Sequence, residues 1–148
     1  MAFSSLYRET ILDHARQPRN QGRLSNPSCS ATRVNPLCGD ELEVQLLLEH
    51  NRIAKSGIQV RGCSLAIASA SLMTQVVEGL GLDETHQLCR HFELLIQEGG
   101  EVVPEALEPM RPFLALVGRR NRSKCLLLAW KALGECLARQ AGENQCTD

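Results

Sequence analysis

Aromatic side chains are scarce in this chain: three Phe, one Tyr and one Trp among 148 residues. Stacking platforms for nucleic-acid bases are therefore not expected. A charge of one sign is also missing. Sixteen Lys and Arg against seventeen Asp and Glu leave a net charge of −1, which is not the footprint of a nucleic-acid binder. No apolar run approaches the roughly 18 residues of a membrane span. The opening residues, MAFSSLYRETILDHARQ, place Arg8, Glu9 and Asp13 where a secretory signal needs an apolar stretch. The expectation is a cytoplasmic protein with no nucleic-acid or membrane partner. The chain is long enough to bury a core without disulfide staples, and one domain over residues 1–148 is the simplest reading.

What the chain has in quantity is cysteine, seven in all. An odd count without a secretory signal argues against a closed disulfide framework and for metal binding or thiol chemistry. Each Cys also has a bland reading as a small buried hydrophobe.

The periodicities predict an α+β fold. Tyr7, Ile11 and His14 share one face of a first helix, which Ser4 or Ser5 can cap and Pro18 ends. The stretch Arg19–Ser28 reads as a polar loop. A strand fits Ala31–Val34, and Asn35-Pro36-Leu37-Cys38-Gly39-Asp40 reads as a turn. Leu42, Val44, Leu46 and Leu48 then alternate with Glu41, Glu43, Gln45 and Glu49, the pattern of a half-buried strand. After a turn at His50-Asn51 a further strand runs over Ile53–Arg61, with Gly57 the expected bulge. Leu65, Ala68, Leu72, Val76 and Leu80 mark a helix that starts after Gly62-Cys63-Ser64 and contains a run of small residues. Asp83 is placed to cap the next helix, with Leu88, Phe92, Leu95 and Ile96 on its apolar side. A Gly/Pro-rich connection follows. A last helix starts near Asn121 or Ser123, with Leu126, Ala129, Trp130, Leu133 and Leu137 inward and a frayed tail from Gly142. Strands joined by short turns are antiparallel, so the prediction is a small sheet of about three strands covered by helices on one side.

Three cysteines share a context. Cys38 lies in a Pro/Gly turn, Cys63 follows a glycine at a helix start, and Cys125 is placed in the first turn of the last helix. A helix N-terminus lowers a cysteine pKa, and Arg119, Arg120, Arg122 and Lys124 add positive charge around Cys125. With Asp40, two residues after Cys38, the three thiolates would make the four ligands of a tetrahedral zinc site. By context alone such a site and an accident of placement stand level.

The segments NPLCGDELEVQL, VRGCSLAIASASLMTQVVEGL and RSKCLLLAWKAL, with LYRETILDHARQPRNQGRL before them, resemble the SufU type of the U-type iron–sulfur cluster assembly proteins, relatives of IscU and of the NifU N-terminal domain. The resemblance covers nearly the whole chain. It implies one NifU N-terminal-like domain acting in iron–sulfur cluster biogenesis. Carried over by motif, Cys38, Asp40, Cys63 and Cys125 correspond to the metal or cluster ligands, and Arg122 to an arginine before the third cysteine that serves partner docking or charge compensation. Two departures from the IscU pattern stand out. Lys124 replaces the histidine before the third cysteine, and the proline-valine-lysine chaperone sequence is missing. The connection over residues 98–118 is of the SufU kind, in which three Cys and one Asp hold zinc. The implied activity is at most that of a sulfurtransferase, a co-substrate that accepts persulfide sulfur from a PLP-dependent cysteine desulfurase of the SufS type and serves downstream assembly proteins. Cys38, in the most mobile setting, is the expected acceptor. The alternatives are a scaffold for transient iron or a [2Fe–2S] cluster, and a structural zinc module.

The other candidates have plainer readings. Cys29 reads as a loop thiol, Cys136 as a packed helix residue and Cys146 as a solvated tail thiol. His86 and Cys89 share a helix face with His91 elsewhere, which reads as a surface helix rather than a second metal site. His14 reads as a packing residue.

Overall fold

The computed structural model describes residues 5–100, 102–114 and 120–146, with side chains of the last stretch over 122–140. The first helix, α1 (Ser5–Arg16), buries Ile11 and His14 and stops short of Pro18. Three antiparallel strands follow, β1 (Cys29–Asn35), β2 (Asp40–Glu49) and β3 (Arg52–Arg61), in the spatial order β1-β2-β3. Leu42, Val44 and Leu46 are fully buried, as their alternation with polar neighbours demands. His50 and Asn51 both take positive φ, 53° and 61°, which matches the tight turn joining two twisted strands.

Three local expectations are corrected here. Cys29 opens β1 rather than lying in a loop. The irregularity in the β2–β3 ladder falls between Leu47 and Leu48, not at Gly57. Gly57 is small for another reason: a Cβ there would come within 2.7 Å of the Gly22 carbonyl oxygen. The preceding loop crosses close over β3 at that point, where Gly22 N donates to Ile58 O and Ile58 N to Asn20 O. Third, helix α3 (Leu82–Glu98) is capped by Gly81, whose carbonyl accepts from the Thr85 amide and hydroxyl; Asp83 sits inside the first turn.

Helix α2 (Ser64–Val77) is buried nearly all round. Its small residues Ala68, Ser69, Ala70 and Ser71 let α1 and the last helix approach closely, and Ser69 Oγ donates to the Leu126 carbonyl at 2.7 Å. After α3 the chain forms a short 3-10 helix (Glu105–Met110) and one turn, α4 (Arg111–Leu114), which cover part of the expected connection; residues 115–118 lie outside the described ones. The last helix, α5 (Arg120–Cys146), begins at or before the expected start and lies across β1 and β2. Its Trp130 stacks on Phe92 of α3, with ring centroids 4.6 Å apart. The predicted α+β order therefore holds: a helix first, then a three-stranded antiparallel sheet, then helices.

Candidate metal centre

The β1–β2 turn, the start of α2 and the second turn of α5 meet at one end of the sheet. Asn35 and Asp40 face each other as the last pair of the β1–β2 ladder. Between them the turn closes on the Asn35 carbonyl, which accepts from Gly39 N at 2.8 Å and Cys38 N at 3.3 Å. Gly39 takes φ of 74°, the left-handed region where a side chain is strained. Cys38 is thus lifted to the surface, while Asp40, starting β2, is only 1% exposed.

One ligand atom each from Cys38, Asp40 and Cys125 lies within 4.8 Å of the others. The Cys38 and Cys125 sulfurs are 3.9 Å apart. Two thiolates on one tetrahedral zinc, at ~2.3 Å each, stand ~3.8 Å apart, so this pair already has the spacing of two zinc ligands, while Cys63 would have to close in. Cys63, the N-cap of α2, stands just outside this group of three. Its amide donates to Asp40 Oδ1 at 3.0 Å, and its sulfur lies 4.0 Å from Asp40 Oδ2. The same sulfur accepts from the Ala66 amide at 3.5 Å, which anchors it to the helix.

Cys125 corrects the expected electrostatics. It is the sixth residue of α5, not one of its first turn, and is 6% exposed. Burial first, then the Asp40 carboxylate and the Cys63 thiol, push its pKa well above the usual thiol range. A dication placed beside Cys125 would invert that logic and take its sulfur as a thiolate. The donor set of soft sulfurs with one carboxylate is one that zinc accepts. Arg122 and Lys124 are exposed, Arg122 one turn before Cys125. Arg119 and the Arg120 side chain lie outside the described residues, as does the Cys146 side chain.

Two residues that pattern reading missed shape the site. Gly62 lies so close to Asp40 that a Cβ would meet its Cγ at 2.8 Å. The sequence signal was the glycine directly before Cys63. Asn35 is 6% exposed and holds the turn through its carbonyl and Oδ1, the latter accepting from Leu37 N at 3.3 Å. Its Nδ2 is buried with no hydrogen-bond partner.

The rival group does not assemble. His86 and His91 are exposed on α3, while Cys89 is buried in the core and its thiol is pushed up to about 12 by burial. Among the described residues neither Cys89 nor either histidine belongs to a group of side chains close enough to share a metal ion. His14 donates or accepts within the packing as expected, its Nδ1 2.7 Å from Ser71 Oγ. Among the described residues no helix is long and apolar enough to cross a membrane.

The family of NifU-like N-terminal domains matches the chain over residues 6–146. The zinc-dependent sulfurtransferase SufU of Bacillus subtilis is 33% identical, covering 96% of this chain and 96% of its own. The iron–sulfur cluster assembly scaffold protein IscU of Streptococcus pyogenes is 28% identical over 99% of this chain and 91% of its own. Among solved structures, the SUF-system assembly protein of Fervidobacterium islandicum AW-1 superposes with a TM-score of 0.81 at 26% identity, covering 87% of this chain and 94% of that one.

Proposed function

We propose that this chain, which belongs to the family of NifU-like N-terminal domains, works in iron–sulfur cluster assembly as a zinc-dependent sulfur acceptor. The observation that carries the reading is the contrast within the donor set. Asp40 and Cys125 are buried; Cys63 and Cys38 are both exposed, but Cys63 is tied to the start of α2 through the Ala66 amide, whereas Cys38 sits on a turn with its sulfur beside Cys125. Cys38, Asp40, Cys63 and Cys125 would hold the metal, which supplies the positive charge that keeps the thiols ionised.

The transfer itself is a thiol–disulfide type exchange. The Cys38 thiolate attacks the outer sulfur of a persulfide carried by a PLP-dependent cysteine desulfurase. The sulfur–sulfur bond of that persulfide breaks, the desulfurase thiolate leaves, and the new persulfide stays on Cys38 for downstream assembly proteins. Leu37, 72% exposed beside Cys38, and Val34, 56% exposed, border a groove of about 670 Å³ that also takes in Lys124. An apolar patch rimmed by Arg33, Lys124 and Lys131, with the exposed Arg122 one turn before Cys125, suits a partner surface with an acidic edge.

The test supplies the metal-loaded chain to a cysteine desulfurase with cysteine, alkylates after a brief reaction, and maps sulfur addition by mass spectrometry. One added sulfur on Cys38 is expected; Cys38→Ala abolishes it and the stimulation of desulfurase turnover, and Arg122→Ala weakens both. Sulfur on Cys125 alone, or on no cysteine, overturns the reading.

Relatives named as scaffolds favour a second reading, in which the same three sulfurs and one carboxylate receive a transient [2Fe–2S] cluster as cargo. Anaerobic purification separates the two. Colourless protein with one zinc fits the acceptor, and charge-transfer absorption with labile sulfide fits the scaffold. A metal that no partner can reach would leave only a structural module.

A further inference from the structure

The start of β1 and the middle of α5 hold a second pair of thiols that the sulfur chemistry does not use. Cys29 opens β1 and Cys136 follows Cys125 by eleven residues on α5, about 16 Å along the helix axis. The Val44 carbonyl that Cys136 approaches lies two positions along β2 from Leu46, the ladder partner of Cys29, and the Cys29 thiol is the largest influence on Cys136. Cys136 is fully buried, its sulfur 4.0 Å from the Val44 carbonyl oxygen. Cys29 is half-buried on β1, an edge strand of the sheet, so one thiol of the pair is open to a small reagent. Arg139, one turn beyond Cys136, donates at 2.8 Å to the carbonyl of Ser30, the residue that follows Cys29; it lies 3.9 Å from Glu135 and its guanidinium remains largely exposed.

We propose that Cys29 and Cys136 form a redox site of their own, which closes to an intramolecular disulfide in exchange with a small anionic disulfide of the glutathione disulfide class. The half-buried thiol is the point of entry, and Arg139 offers a counter-charge to the carboxylates of the reagent. The Cys29 thiolate attacks one sulfur of the small disulfide, whose sulfur–sulfur bond breaks and releases one small thiolate. Cys136 gives its proton to a base in solution and attacks the Cys29 sulfur of the mixed disulfide, releasing the second small thiolate. Two protein thiols are oxidised by two electrons to one disulfide, and one small disulfide is reduced to two small thiols.

The Cys29 thiol and then burial hold the Cys136 thiol above the usual range, with Arg139 acting the other way. Cys136 therefore serves as the resolving thiol, and closure is slow beside ordinary exchange at an exposed cysteine. The bond would tie together the strand that leads to Cys38 and the helix that carries Cys125, at the end away from the metal centre. It would leave the ligands in place.

The test incubates the zinc-loaded full chain with glutathione disulfide, alkylates the remaining thiols, digests without reductant and maps cross-linked peptides, with zinc content measured alongside. A Cys29–Cys136 cross-link that dithiothreitol reverses, in protein that keeps its zinc, is expected. Cys136→Ser should stop the reaction at a glutathione adduct on Cys29, and Cys29→Ser should leave neither adduct nor cross-link at this end. If Cys136→Ser does not fold, Cys29→Ser, altered at a half-buried position, supplies the control alone. A stable adduct on Cys29 of the unsubstituted chain with no cross-link overturns the proposal, as does alkylation of both thiols without oxidation.

Discussion

Helix α5 carries two buried cysteines with opposite surroundings. Cys125 meets a carboxylate and thiols from the β1–β2 turn and the start of α2, and burial is the first cause of its raised pKa. Cys136 meets one thiol from β1 and one backbone carbonyl, and the Cys29 thiol is the first cause. The nearest carboxylate to Cys136, Glu135, is already engaged by Arg33 and Arg139. The same residue type, on the same helix and against the same strand, therefore faces a cluster that a cation would stabilise at one position. At the other it faces a neutral pair. Burial alone does not make a ligand; the number of acidic groups that converge on it does.

The sharpest way to break this comparison is to change each cysteine in turn. Cys125→Ser should lose tightly held metal after desalting, whereas Cys136→Ser should keep one metal per chain. Elemental analysis of the two proteins reads this directly, and equal retention would erase the distinction. A chelator should likewise lower the melting temperature of the unsubstituted chain, because the ligands pin three separate elements together.

Next in size is the support of the ligand set. Gly62→Ala forces Asp40 aside, since the new Cβ would lie 2.8 Å from its Cγ. Its metal affinity should fall ~10- to 100-fold, the usual scale for disturbing the residues behind a ligand. Asp40→Ala should fall at least as far while retaining some zinc on the three sulfurs. Competition with a chromophoric chelator measures both, and wild-type affinity in Asp40→Ala would remove Asp40 from the ligand set.

Further along α5 the effect should be on stability, not on metal. Cys136→Ser buries a hydroxyl where a weakly polar thiol packed, and should cost ~1–3 kcal/mol. Cys29→Ser, half-buried, should cost less. Denaturant midpoints with unchanged slopes check both.

The smallest effect lies away from α5. Burial, then Arg19, hold His14 below its ordinary value of 6.5. The folded chain binds that proton less readily than the unfolded one. The stability from neutral His14 is therefore full above pH 6.5 and is lost as the pH falls from there through the folded-state value. His14→Gln should flatten this part of the stability–pH curve. Urea midpoints above and below pH 6.5 test it, and an unchanged acid slope would mean that other groups set it.

Much of this was legible in the chain. The alternation of Leu42, Val44 and Leu46 with polar residues defined β2, and the helical spacing of Leu126, Ala129, Trp130 and Leu133 defined the inner face of α5. Cys38 in its Pro/Gly turn and Cys63 at a helix start stood out by local context. Such features rest on backbone preferences and side-chain periods that act over a few residues, so sequence by itself determines them. The exact place of Cys125 was not local. A basic stretch was read as the first turn, whereas α5 already includes Arg120, so the thiol is governed by burial rather than by the helix end. The need for Gly62, the orphaned Asn35 amide and the pairing of Cys29 with Cys136 arise only where distant segments touch. Small residues of α2 set how closely α5 approaches, through contacts such as Ser69 to the Leu126 carbonyl, and the lie of α5 across β1 then decides which thiols meet. Those contacts join residues that no local preference couples, so only tertiary packing could decide them.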